Sequence, residues 1–163
     1  MTISTTIIRG SPSHRDNKAL IATSPVLSWY ARYVVDFATA KTTTPPTKYY
    51  ASTATLVNPD QSTISGADAI WDYYIHLYGQ FEKCAHEVIS MTALSNDETG
   101  THTLLVETIN HLHLRDNKGV VPLPQAFAYE ISEAEEGAGT AGLQIWELRC
   151  YFERGLLQRV AKS

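Results

Sequence analysis

A chain of 163 residues with 44% hydrophobic content is the size of one domain and can bury a real core without help from metal or disulfide. Seventeen acidic against 13 basic residues give a net charge of −4, and no Lys/Arg cluster offsets it, which argues against nucleic acid and against an anionic membrane surface as partners. Cys84 and Cys150 each fall in an apolar run with no metal or redox spacing, so reduced, buried thiols in a soluble cytoplasmic protein are expected. No stretch has the apolar core of a signal peptide or the length of a membrane span.

Residues 1–23 are rich in Ser and Thr and read as a polar arm, with at most a helical turn over 16–21; a single domain then occupies 24–163. Ser24-Pro25 is a cap followed by the residue best tolerated in a first helical turn. From there Val26, Trp29, Tyr30, Tyr33, Phe37 and Ala40 recur at helical spacing to about Lys41, with Arg32 and Asp36 placed to pair on the opposite side. Thr42-Thr-Thr-Pro-Pro46 stops the helix. A helical turn over 48–51, a strand over 54–58, a turn at 59–61 and a return strand over 62–64 follow.

The next stretch, Ile64-Ser-Gly-Ala-Asp-Ala-Ile-Trp-Asp-Tyr-Tyr-Ile-His-Leu-Tyr-Gly-Gln-Phe81, predicts the helix that organises the rest. Ser65 is its expected cap, Asp68 the acidic half of a capping box, and Gly79 its stop. Only Asp68, Asp72 and His76 are polar between those signals, and they share one stripe, so other structure must cover most of the circumference. Four strand-like segments supply that cover: 83–94, 102–115, 123–132 and 143–153. Turn-formers at 95–100 and 116–119 and a looser stretch at 133–142 separate them, which makes an antiparallel meander, closed by a helical turn over 156–160. Helices first and a long sheet second is an α+β layout. A long twisted sheet can curl around the helices as a cone with a pocket at its open end.

This order of elements resembles the nuclear-transport-factor-2-like (NTF2-like) fold, in particular its SnoaL-like branch, over roughly residues 24–160. The local patterns that carry the resemblance are Tyr49-Tyr-Ala-Ser-Thr-Ala-Thr-Leu-Val-Asn-Pro59, Ser65-Gly-Ala-Asp-Ala-Ile70 and Trp146-Glu-Leu-Arg-Cys-Tyr-Phe-Glu153. It implies a cone of N-terminal helices packed in a curved, mainly antiparallel sheet, and a repertoire that includes polyketide cyclases, ketosteroid isomerases, limonene-epoxide hydrolases, scytalone dehydratases and non-catalytic binding modules. It also resembles scytalone dehydratase in two histidines, His86 and His111, on successive strands after the Gly-led helix. Where that enzyme relies on tyrosines, this chain has Asp36-Phe37 and Asn58-Pro59.

His86 and His111 are therefore the expected acid and base, because an imidazole titrates near neutrality and can take and return a proton in one turnover. Glu107 and Arg149 are expected to polarise or orient the substrate, with Glu147 beside Arg149 on its strand. Gln125 and Tyr129 can offer hydrogen bonds to a ligand oxygen, and Tyr33, Trp71, Tyr74 and Trp146 supply flat surfaces for an aromatic or polycyclic ligand. His113 completes a His-x-His with His111, but no third ligand has a convincing spacing, since Asp116 falls in a turn and His102 alternates to the other face; no metal and no cofactor is expected. His14 and His76 read as surface residues.

Taken with the resemblance, these residues imply a cofactor-free cyclase, isomerase or dehydratase acting on a hydrophobic, aromatic or polycyclic secondary metabolite, dimeric through the sheet face. The alternatives are a binding module with a packed cone, and an epoxide hydrolase built on Glu107, Arg149 and Glu153. The two-histidine mechanism requires both imidazoles to enter one hollow.

Overall fold

The computed structural model describes residues 2–39 and 43–161, so Ala40, Lys41 and Thr42 lie outside the described residues. Its elements in chain order are β1 (Ile3–Arg9), α1 (Arg15–Thr23), α2 (Pro25–Thr39), a 3-10 turn at Pro46–Lys48, β2 (Tyr50–Val57), β3 (Thr63–Ser65), α3 (Ala67–Gly79), β4 (Lys83–Asn96), β5 (Thr101–His113), β6 (Val120–Glu133), β7 (Leu143–Phe152) and α4 (Arg154–Ala161). The seven strands form one curved sheet in the order β1-β4-β5-β6-β7-β2-β3, with α2 and α3 packed against it. The expected meander is β4 to β7, all antiparallel neighbours. β2 pairs with β7 in parallel, Leu56 opposite Leu148, and carries the short β2–β3 hairpin on its free side.

Residues 3–9 are not a free arm. They pair along β4 from Ile3 opposite Asn96 to Arg9 opposite Ser90, and Ile8 is fully buried in the core. The Ser/Thr content that reads as an arm is compatible with an edge strand, where one buried side chain suffices.

α2 starts at Pro25 as its sequence demands and turns Trp29, Tyr30 and Tyr33 into the core. Asp36 does not pair with Arg32: Lys48 and the Tyr49 hydroxyl both donate to its carboxylate, at 2.5 and 2.6 Å. α3 buries Ala67, Ile70, Trp71 and Tyr74 and exposes the predicted stripe of Asp68, Asp72 and His76. Its cap differs from expectation. Ser65 is spent on the β-hairpin, opposite Thr55, and Gly66 stands at the N-cap with φ 97°, a left-handed corner that suits glycine.

The curl of the sheet gives the meander an inner and an outer side. Inward side chains alternate as Leu104, Val106, Thr108, Asn110 and Leu112 on β5 and as Leu123, Gln125, Phe127, Tyr129 and Ile131 on β6. The inner side holds two apolar clusters, a large one around the helices and a small one of Phe81, Leu112 and Leu123 against which Leu156 of α4 packs. Thr108, Asn110 and Gln125 stand between the two on the strands.

Candidate functional site

The polar layer on the inner face is the unusual feature of this core. Register places His86 of β4 opposite Asn110, and Thr108 opposite Gln125, so all four side chains are neighbours on one side of the sheet. Helix α3 faces them with Tyr74 and Tyr78. Among the described residues, several of these polar atoms have no partner: the Tyr74 hydroxyl, Thr108 Oγ1, both amide atoms of Asn110 and Gln125 Oε1. Each unmade bond costs about 1–3 kcal/mol where water cannot reach it. Elsewhere the fold satisfies a buried amide completely. Gln144 donates to Thr47 O and Tyr50 O at 2.6 and 3.1 Å and accepts from Glu135 N at 2.9 Å.

Two cavities adjoin this layer, of about 80 and 160 Å³, and Phe37, Tyr74, Tyr78 and His86 line both. Tyr30, Tyr33, Thr108 and Tyr129 also line the smaller; Trp71 and Cys84 contribute to the larger, with Glu82 and Lys83 at its rim. The His86 ring stands edge-on to Tyr78 at 5.9 Å between centroids. Carbon crowded on its inner side pushes its pKa down from 6.5 to about 4, although the residue as a whole is solvent-exposed at the pocket. At neutral pH it is therefore an uncharged base. Burial pushes the phenols the other way, Tyr30 to about 12 and Tyr33, Tyr74, Tyr78 and Tyr129 up as well, so all remain protonated and able to donate. The hydroxyls of Tyr33 and Tyr50 already share a hydrogen bond of 2.7 Å.

The structure does not bring the expected acid and base together. His111 is on the outer face of β5, half-buried, with its Nε2 at 2.9 Å from Glu87 Oε2. Its parity is that of Ala85, its register partner, and it lies across the sheet from His86. Glu107 is outward too and accepts from Ser90 Oγ at 3.2 Å. Arg149 and Glu147 pair with each other at 2.7 Å on the exposed side of β7, and Glu153 pairs with Arg159. The acid–arginine–acid set for epoxide opening is thus not assembled in the interior. Trp146 is exposed and donates its indole N–H to Glu133 O, so it is no ligand platform. His102 shares the inner face but stands at the far end of β5, bonded to Ser95.

Of the expected ligand contacts, Tyr33, Trp71, Tyr74 and Tyr129 do line the cavities, and Gln125 is buried beside them. Thr108 and Asn110 carry no motif that marks them in the sequence. The available signal was a pair of polar residues interrupting the apolar alternate set Leu104, Val106, Leu112.

No family model and no curated protein matches the sequence. Solved structures do. LinA is 11% identical with a TM-score of 0.62, covering 85% of this chain and 90% of its own. A putative scytalone dehydratase from Novosphingobium aromaticivorans is 9% identical with a TM-score of 0.59, covering 78% and 84%. A protein of ketosteroid isomerase-like fold from Catenulispora acidiphila is 15% identical with a TM-score of 0.51, covering 79% and 91%. The chain has the NTF2-like fold, an α+β cone. Among the described residues no helix is long and apolar enough to cross a membrane.

Proposed function

We propose that the protein is a cofactor-free enzyme that moves one proton on a small hydrophobic ketone or related oxygenated metabolite, with His86 as its single base. The observation that carries this reading is the placement of an uncharged imidazole among buried, partnerless hydroxyl and amide groups at the junction of two cavities. The neutral imidazole takes a proton from the carbon beside a carbonyl. The electron pair of that C–H bond moves into the carbonyl, and the enolate oxygen accepts hydrogen bonds from the Tyr74 and Thr108 hydroxyls. An imidazolium is costly in these surroundings unless the enolate charge lies beside it, so the proton is returned to the same system of atoms. One base that returns its own proton fits isomerisation better than dehydration, which also needs an acid for the departing hydroxyl. The isomerase-like and dehydratase-like names among the structural neighbours are consistent with chemistry of this kind.

The test is exchange of α-protons, which registers the turnovers in which the imidazolium N–H, open to solvent at the pocket, swaps for deuterium before a proton is returned. Cyclohexanone in D2O should lose its α-protons faster with the protein than without it, as followed by NMR, and His86→Ala should slow that gain by about 10²-fold. Equal exchange with both proteins would remove the proposal. A non-catalytic binding module is favoured by the modest cavity volumes, and it predicts a bound ligand with no exchange at all. As a partner we propose a second copy of the chain on the outer sheet face, where Leu105 and Tyr151 are exposed around Ala126 and Ala128.

A further inference from the structure

We infer that the interior takes a neutral ligand with a single ring and one hydroxyl or carbonyl oxygen, the oxygen lying between the Tyr74 and Thr108 hydroxyls and the ring against Phe37 and Tyr78. This narrows the reading of His86 as a base and rests on it for the chemistry, but the binding claim stands on three observations of its own.

The first is size. The larger cavity, about 160 Å³, is comparable with an apolar protein cavity of roughly 150 Å³ that holds benzene. One ring fills it, with its oxygen reaching the smaller cavity that shares Phe37, Tyr74, Tyr78 and His86, whereas a second fused ring would stand out towards solvent, so a single ring is the better match. Trp29 and Tyr33, which could have stacked on a wider ring system, stack on each other at 5.7 Å.

The second is charge. Glu82 and Lys83 are exposed at the rim of the larger cavity, while its walls present His86 in neutral form and phenols that stay protonated. A carboxylate or phosphate entering here would lose its hydration with no cation inside to replace it. The third is the polar end. Tyr74 and Thr108 are 4% and 3% exposed, both line the smaller cavity, and neither hydroxyl has a partner among the described residues. A hydroxyl can donate or accept, so this pair matches a ligand carbonyl or alcohol. An all-carbon ligand would leave both unpaired.

The experiment compares four probes on the intact chain: cyclohexanone, cyclohexane, cyclohexanecarboxylate and the two-ring ketone 2-decalone. Saturation-transfer NMR and titration of indole fluorescence read the affinity. Cyclohexanone should bind at least about tenfold more tightly than the carboxylate or the decalone. Tyr74→Phe and Thr108→Val, both close in shape to the native residues, should each weaken cyclohexanone about 3–10-fold, the range of a neutral hydrogen bond, and leave cyclohexane unchanged. Circular dichroism confirms that each variant is folded before it is scored. Tight binding of the decalone or the carboxylate, an unchanged cyclohexanone affinity in both variants, or no binding of cyclohexanone would overturn the inference. Binding without α-proton exchange would defeat the catalytic reading alone, and exchange confined to two-ring ketones would defeat this inference alone.

Discussion

His86 couples the interior to pH in a direction that follows from its surroundings. In the unfolded chain its imidazole takes up a proton near 6.5, whereas in the fold the same group resists protonation down to about 4. Between those values the unfolded state holds a proton that the native state lacks, so the protein loses stability as pH falls from about 6.5 to 4, and this group adds no further loss below that. Solvent contact at the pocket softens the effect without reversing it. Urea unfolding at pH 7, 5.5 and 4.5 should show that decline in the native protein and a shallower one in His86→Gln; parallel curves would contradict it. At this scale the sequence was only half legible. It shows which residues of β5 alternate, but Leu105 and Ile109 sit in the outer set while Thr108 and Asn110 sit in the inner one. Neither set is plainly apolar, so nothing local says that Asn110 is the residue across from His86, with His111 on the far side of the sheet.

Helices and strands, by contrast, announce themselves. α2, α3 and β4 to β7 stand within a few residues of where periodicity and turn residues put them, because each has a wide apolar stripe or a long alternating run. What escaped was structure made by distant partners. β1 exists because β4 offers an edge, and the stretch before β7 looks loose only in isolation. There Glu135 accepts from both the backbone and the hydroxyl of Ser52, Thr140 donates to Lys48 O, and Gly139 N–H bonds Thr47 O. Gly139 has φ +81°, and a Cβ there would stand 2.4 Å from that of Ala134. Gln144 ties the same loop to the entry of β2 with three hydrogen bonds from a fully buried amide. Gln144→Leu strands two carbonyls and an N–H, and should cost about 3 kcal/mol. A guanidinium unfolding midpoint within error of the native protein would refute that role for the amide.

For the molecule as a whole, the outer sheet face decides whether the chain works alone. Ile7, Thr92, Leu105, Ala128 and Arg149 follow one another across five strands, with Ala126 and the half-exposed Tyr151 one step away. Small side chains in the middle and larger apolar ones around them suit a flat, self-complementary contact. Sedimentation velocity should show a dimer that Leu105→Glu converts to monomer with its circular dichroism intact; a native protein that stays monomeric at high concentration would dismiss the idea. The parallel pairing of β2 with β7 has a consequence for synthesis. Leu56 meets Leu148, and Val57 meets Arg149, so one stretch is held by another made about 90 residues later. While the ribosome is still adding residues beyond 100, the nascent β2 has one flank unsatisfied and the helices have no wall to lean on. The apolar side of α3 must be shielded for that whole interval, by the tunnel, a chaperone or transient collapse.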